Sequence, residues 1–289
     1  MAALPSNSAE SFMRIRPRLV RIAYRMLGSV AEAEDVVQDA YLRWHRTDHD
    51  AIESHDAFLV RMVTRLCLDV LKSARVQREE YIGSWLPEPF IDTEESRSDD
   101  ITLSLMMVLE RLSPLERAAF LLYDVFGLDF EEVARAVERD ASTCRKLASR
   151  AREHVQQARP RYPVPPELGK KMAAAFFAAS REGNLQVLET LLAADVTLYS
   201  DGGGKRVATI KPVYGSQKVI RFFIGLSQKP DYVAGRLLAE CLIDGLPGYV
   251  TLERDDIVQT TALSIEADKI TGIYVVRNPD KLKHVLSFI

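Results

Sequence analysis

The chain has 289 residues, 47% of them hydrophobic and 27% charged, and a net charge of −3. That length and composition suit a soluble protein of two or three domains, and no stretch approaches the roughly 18 uninterrupted apolar residues of a membrane span. With no signal-peptide pattern at the N-terminus, the expected location is the cytoplasm, away from membranes. Cys67, Cys144 and Cys241 are widely spaced and lack the pairing or histidine neighbours of a zinc site, so they are expected to be reduced core thiols, with no metal and no cofactor.

The first block, residues 8–78, is helical by period. Val36, Val37, Ala40, Tyr41 and Trp44 share one helix face, and Asp35, Gln38 and Asp39 share the other, leaving an exposed acidic surface. Further on, Leu59, Met62, Val63, Leu66, Val70 and Leu71 form an apolar stripe opposite Arg61, Arg65, Lys72 and Arg75. Neither helix identifies a function alone, because charges also solvate ordinary bundles.

Residues 79–100 read as a linker. Glu79, Glu80, Glu88, Asp92, Glu94, Glu95, Asp99 and Asp100 face only Arg97, among turn-forming residues. In the next block, residues 101–158, Asp129 and Glu132 form a capping-box variant ahead of a two-turn helix with Phe130, Val133, Ala134 and Val137 inward. Asp140 caps a second helix with Ala141, Cys144, Ala148 and Ala151 inward. Its outer side carries Ser142, Thr143, Arg145, Lys146, Ser149, Arg150 and Arg152. Two short helices, the second small, polar and basic, meet the needs of a major-groove reader: small residues permit close approach, and Arg and Lys bind phosphates or guanine edges. A helical hairpin with a basic end is the structural alternative.

At these residues the sequence resembles the extracytoplasmic-function sigma factors. The tract Ala33 to Trp44 (AEDVVQDAYLRW) is similar to the region-2 helix that docks on RNA polymerase. Leu112 to Arg117 (LSPLER), Phe130 to Ala134 and Ser149 to Arg152 are similar to region 4. The resemblance implies that Asp35, Gln38 and Asp39 contact core RNA polymerase. It assigns Phe58 to Arg75 to the −10 promoter strand and Asp140 to Arg152 to the −35 element. Where many members carry an asparagine, this sequence has Arg65, which either touches the strand or pairs with Asp69 at i,i+4.

Four prolines among residues 159–166 break the helix, and residues 167–289 then read as α+β. Leu168 to Ser180, Leu185 to Leu192 and Gly215 to Leu226 read as helices. Strands start at Val196, with turns at Asp201 to Gly204, Asp244-Gly245 and Ala267 to Lys269. This order is similar to a SnoaL-like (NTF2-like) cone, helices wrapped by a curved antiparallel sheet, so the fold expected is multidomain: two all-α sigma domains followed by an α+β cone.

Three tracts resemble signatures of the subgroup with a fused SnoaL-like tail, of which the sigma-J type is an example. They are Trp85-Leu86-Pro87-Glu88-Pro89, Asp201-Gly202-Gly203-Gly204-Lys205 and Asn278-Pro279-Asp280-Lys281-Leu282. The resemblance implies that the tail modulates the sigma domains in cis, with no separate anti-sigma factor. Trp85, Leu86 and Pro87 also form a stiff apolar knob suited to docking on a neighbouring domain. The Gly run and Asn278-Pro279-Asp280 have simpler readings as turns. Asp201, Glu253, Asp255, Asp256 and Asp268 mostly sit at turns or strand ends, where acids are usually solvated, and His284 is the tail's only histidine. No catalytic residue is therefore expected, although an unknown small ligand in the tail stays open. The alternative function is a polymerase-independent DNA-binding regulator that senses such a ligand, and a fused cyclase is a more distant one.

Overall fold

The computed structural model describes residues 6–49, 52–79, 81–92, 101–156 and 164–288. It divides into two compact units: Met1–Glu79 with Val108–Ala158, and Glu80–Met107 with Arg159–Ile289.

The first unit is helical. Helices α1 (Ser6–Leu27), α2 (Val30–Trp44) and α3 (His55–Glu79) pack on one another. Gly28, at φ +72°, ends α1, and the Ser29 side chain caps α2 by accepting from the Glu32 amide at 3.1 Å. Trp44 is 1% exposed and meets the rings of His49 and His55, which fixes the end of α2 beside the start of α3.

After α4 (Leu103–Leu109), Ser113 and Glu116 form a full capping box that starts α5 (Pro114–Phe120), which continues as a π-helical turn over Leu121–Val125. Helices α6 (Phe130–Val137) and α7 (Ala141–Gln156) follow and pack on each other, and α5 packs on α7. The capping box expected at Asp129 and Glu132 is present. The buried stripe differs slightly from the expected one. Val133, Ala136 and Val137 are buried while Phe130 and Ala134 are only half-buried, because Phe130 stacks outward on Tyr123 with ring centroids 3.9 Å apart.

Helices α5 and α6 pack against α3, so the two helical segments close on each other. A buried tie between them is Arg117, 2% exposed. Its Nη1 donates to the Met26 carbonyl at 2.6 Å and to Glu110 at 2.7 Å, and its Nε donates to the Leu109 carbonyl at 2.9 Å.

The second unit is α+β. Helices α8 (Pro166–Glu182), α9 (Leu185–Leu191) and α10 (Ser216–Ser227) lie on a six-stranded sheet. Its strands are β1 (Leu192–Asp201), β2 (Val213–Tyr214), β3 (Arg236–Ile243), β4 (Leu246–Glu253), β5 (Ile257–Glu266) and β6 (Lys269–Val276), in the spatial order β2-β1-β6-β5-β4-β3. The sheet is not wholly antiparallel as expected. β1 and β6 run parallel, because the chain leaves β1 through β2 and α10 and fills the far side of the sheet before β6 returns beside β1.

Both faces of the sheet are apolar, and side-chain alternation separates them. Tyr249, Leu263, Ile273 and Val275 join the helices in one core, with Phe176 and Val219. Their neighbours Val250, Ala262, Tyr274 and Val276 point the other way, into a second core that includes Leu86, Ile91 and Leu282. Residues 81–92 therefore cover a sheet face rather than merely span two domains.

The Arg117 contacts yield a stability prediction. Arg117→Met removes a buried donor from the Met26 carbonyl, from Glu110 and from a Leu109 carbonyl that keeps only the Leu112 amide, and should lower the stability of the helical unit by about 3 kcal/mol. Urea unfolding followed by helical circular dichroism would measure it, and a shift below about 1 kcal/mol would show that the tie is dispensable.

Candidate functional site

The acidic face of α2 is intact. Asp35, Gln38 and Asp39 are exposed, while Ala33, Val36, Val37, Ala40 and Trp44 are buried beneath them. Among the basic residues of α3, the Arg61 guanidinium lies over the Phe58 ring at 5.4 Å, and Lys72 pairs with Asp69 at 2.9 Å. Arg75 lies on the same helix; its side chain is outside the described residues. Arg65 does not pair with Asp69. It reaches across to the second helical segment, donating to the Arg135 carbonyl at 3.1 Å and pairing with Glu138 at 3.0 Å. The i,i+4 pair loses because a carbonyl and a carboxylate together offer the guanidinium more acceptor capacity than one exposed carboxylate.

On α7, Ser142, Arg145, Lys146, Ser149 and Arg150 are exposed, while Cys144, Ala148, Ala151 and Val155 are buried. The helix starts as expected from Asp140. Its carboxylate accepts from the Thr143 hydroxyl at 2.7 Å and the Thr143 amide at 2.8 Å, bonds that hold its pKa below the usual value. The Thr143 hydroxyl is thus engaged within the cap. Arg145 leans over the Phe130 ring at 5.3 Å. The α6 to α7 turn passes through Glu138 in the left-handed region at φ 56°, a conformation glycine would adopt more easily.

A family description, Sigma-70 region 2, matches residues 12–76, and a second, Sigma-70 region 4, matches residues 102–155. The ECF RNA polymerase sigma factor SigJ of Mycobacterium tuberculosis H37Rv is 37% identical over 93% of this chain and 91% of its own. This chain is an ECF RNA polymerase sigma factor. A second relative, the probable ECF sigma factor SigI of Mycobacterium tuberculosis CDC 1551, is 32% identical over 92% of each chain. The crystal structure of Mycobacterium tuberculosis SigJ superposes with a TM-score of 0.78 at 34% identity, covering 95% of this chain and 98% of that one. Family membership decides between the function classes the sequence left open: the sigma factor serves promoter-directed transcription initiation. Among the described residues, no helix is long and apolar enough to cross a membrane.

The three tracts singled out in the sequence meet within the second unit of the sigma factor. At their centre is Asp201, fully buried although the sequence placed it at a turn among solvated acids. Its Oδ2 accepts from the Leu86 amide at 2.9 Å and from Lys281 Nζ at 2.8 Å. Its Oδ1 accepts from the Tyr81 hydroxyl at 2.5 Å and the Gly203 amide at 3.0 Å. Lys281 Nζ also donates to the Leu86 carbonyl at 2.5 Å and lies 4.1 Å from the Trp85 ring centroid. Asn278 donates to the Tyr81 hydroxyl at 2.9 Å, Lys205 pairs with Asp280 at 2.5 Å, and His284 Nε2 is 2.8 Å from the Pro89 carbonyl. Leu86, Pro87, Glu88 and Pro89 are buried. Burial, and then the Asp201 carboxylate, raise the pKa of Tyr81.

The glycines make this approach possible. At Gly203, φ +60°, a Cβ would fall 2.2 Å from Asn278 Nδ2, and at Gly202 it would fall 2.2 Å from the Arg206 carbonyl oxygen. The Gly run is thus a packing requirement beyond a flexible turn.

Sequence reasoning missed the other half of this attachment. Asp244, buried at φ 46°, accepts from the Phe90 amide at 3.1 Å through its side chain and donates its own amide to the Phe90 carbonyl at 2.9 Å. Ile91 bridges Ile243 in antiparallel fashion, and the Asp92 carboxylate accepts from the Gly245 amide at 2.6 Å. These bonds cap one end of β3, the edge strand. The sequence signal at Asp244-Gly245 was that of any hairpin turn, and nothing in it indicates a second chain segment alongside. Tyr81 was missed for a similar reason, being one tyrosine outside any motif. The acidic residues 94, 95, 99 and 100 of the linker lie outside the described residues, as do residues 159–163 of the Pro-rich break.

Asp201→Ala should cost the second unit roughly 3 kcal/mol, because it leaves the Lys281 ammonium buried without its carboxylate. Chemical unfolding followed by Trp85 fluorescence, in a Trp44→Phe background, would measure the loss; stability within about 0.5 kcal/mol of the parent would show that the network contributes little.

Proposed function

We propose that the exposed acidic face of α2, with Asp35, Gln38 and Asp39, docks on core RNA polymerase, that the basic face of α3, with Arg61, Arg65, Lys72 and Arg75, engages the −10 strand, and that α7 reads the −35 element through Ser142, Thr143, Arg145, Lys146, Ser149 and Arg150. In this conformation the two helical segments are closed on each other. Arg65 carries the argument: a residue of the −10 surface is engaged by the carbonyl of Arg135 and the carboxylate of Glu138, so region 4 must let go of it before it can meet a strand. Both side chains of that ion pair are substantially exposed, and such pairs contribute at most about 1 kcal/mol, which makes them easy to exchange for DNA phosphates.

The C-terminal unit acts on this equilibrium in cis, through the stretch 81–92 that it holds, in place of a separate anti-sigma factor. The Trp85 to Pro89, Asp201 to Lys205 and Asn278 to Leu282 tracts are the regulatory contacts in this reading. The protein performs no catalysis of its own. The half-buried carboxylate Glu253 supports this, because both its oxygens accept from Arg181 and one also accepts from Thr251 at 2.6 Å, which leaves it poorly placed to take a substrate proton.

Reconstitution with core polymerase tests the reading. The protein should form holoenzyme and give promoter-specific transcripts, and the Asp35→Ala/Asp39→Ala double variant should weaken holoenzyme assembly; failure to form holoenzyme defeats the proposal. Lys146→Ala should weaken promoter binding by holoenzyme and reduce the slope of log affinity against log salt by about 1. An unchanged slope and undiminished promoter use would remove α7 from the DNA. Asp201→Ala should change the yield of promoter-specific transcripts at equal holoenzyme concentration, whereas an unaltered yield would make the C-terminal unit a passenger.

A further inference from the structure

The helical side of the C-terminal sheet encloses a cavity of about 570 Å³ between α8, α10 and the strands. That volume falls within the range of sites for small organic molecules. One wall is apolar, formed by Phe176 on α8 and by Phe222, Phe223 and Leu226 on α10, with Phe176 and Phe223 edge to face at 5.3 Å. The other walls are polar and predominantly basic.

Six basic side chains line the cavity, Arg181, Lys205, Arg206, Lys229, Arg254 and Arg277, against the two acids Asp231 and Glu253. Three of the six are paired: Arg181 with Glu253, Arg254 with Asp231 at 2.9 Å, and Lys205 with Asp280 at 2.5 Å. Arg206, Lys229 and Arg277 have no ion pair among the described residues, so the lining carries surplus positive charge.

Arg277 is the most enclosed of these three. Its Nη1 donates to the Val207 carbonyl at 2.6 Å, while its Nε is buried without a hydrogen-bond partner. Burial lowers its pKa, Glu253 opposes that shift, and the neighbouring positive charges of Arg181 and Arg206 add to it. Two more buried polar atoms belong to residues lining the same cavity: Thr209 Oγ1 has no hydrogen-bond partner, and the Tyr232 hydroxyl, beside the Arg181 guanidinium, which can only donate to it, has no acceptor for its own proton. Such atoms are uncommon in folded proteins, and three of the five found among the described residues gather here. All three can donate a proton, and Nε–H can do nothing else. What they lack is an acceptor.

We propose that this cavity binds an amphipathic organic anion, a carboxylate or sulfonate on an aromatic or aliphatic body, with the anionic group on Arg277 Nε, Thr209 and Tyr232 and the body against the phenylalanines of α8 and α10. A charged acceptor there would satisfy the three donors and neutralise the least solvated of the surplus cations, while the apolar wall takes the remainder of the molecule out of water. Val207 and Val233, both exposed, stand at the mouth and give the apolar body a surface to enter by.

The test titrates the full-length protein with two fluorescent probes that share one body, 8-anilinonaphthalene-1-sulfonate and its uncharged counterpart N-phenyl-1-naphthylamine. The sulfonate should saturate at one equivalent. Arg277→Gln should weaken it about tenfold or more relative to the neutral probe, and Arg277→Lys should recover part of the loss. Thermal unfolding of each variant reports whether it is folded. Should Arg277→Gln not fold, Thr209→Val and Tyr232→Phe remove donors without changing charge, and each should still weaken the sulfonate relative to the neutral probe. Absence of saturable sulfonate binding to the parent protein, or an unchanged ratio of the two affinities in the folded variants, overturns the proposal. Because the readout is probe fluorescence without polymerase, its failure is distinct from failure of the sigma-factor reading.

Discussion

A buried carboxylate organises the C-terminal half of this protein. Asp201 faces a buried ammonium, Lys281, and each would be strongly destabilised by loss of the other. The pair is tolerated because neither ion is left with only its partner. Asp201 takes further hydrogen bonds from Tyr81, Leu86 and Gly203, and Lys281 donates to the Leu86 carbonyl and lies over the Trp85 ring. Since those partners come from residues 81–86, 201–205 and 278–281, satisfying one ion pair joins three distant stretches of chain. A buried pair of this kind is weak evidence for stability as such; a displaced linker would take from it the Tyr81, Leu86 and Trp85 contacts that complete the surroundings of both ions.

The linker is correspondingly part of a domain. The strands of the C-terminal sheet carry apolar side chains in both directions, so a sheet with helices on one face alone would leave the other open to water. Leu86 and Ile91 help cover it, and hydrogen bonds at Asp244 extend the attachment to the edge strand. The two faces meet at the end of β6. The amides of Arg277 and Asn278 both donate to the Asp201 carbonyl, at 2.7 and 3.1 Å, so the cavity arginine and the linker-binding asparagine hang from one anchored turn.

The helical unit combines ties of different strength. Arg117 is enclosed and holds two carbonyls and a carboxylate, whereas Arg65 and Glu138 meet in solvent. Salt and competing phosphates act on the second kind far more than on the first. The two helical segments are thus fastened at their rim by an exposed ion pair that salt weakens, and in their interior by packing and the enclosed Arg117 guanidinium, which salt hardly reaches.

Local chemistry determined much of this in the sequence itself. The capping box at Asp129 and Glu132, the acidic and basic helix faces and the break between α6 and α7 all follow from residues within a turn or two of each other, and they were legible for that reason. The family followed from the tracts AEDVVQDAYLRW and LSPLER. Contacts between remote residues were decided only by the tertiary structure. Arg65 had a plausible partner four residues away and took one seventy residues away; Asp201 and Glu253 sat at positions where acids are usually solvated and were enclosed by segments arriving from elsewhere. The parallel pairing of β1 with β6 depends on where the chain returns after four intervening strands, which strand propensity does not encode. Side-chain period reports which face of an element is apolar, but which segment covers that face, and which charge meets which, is settled by desolvation costs that exist only once the chain is folded.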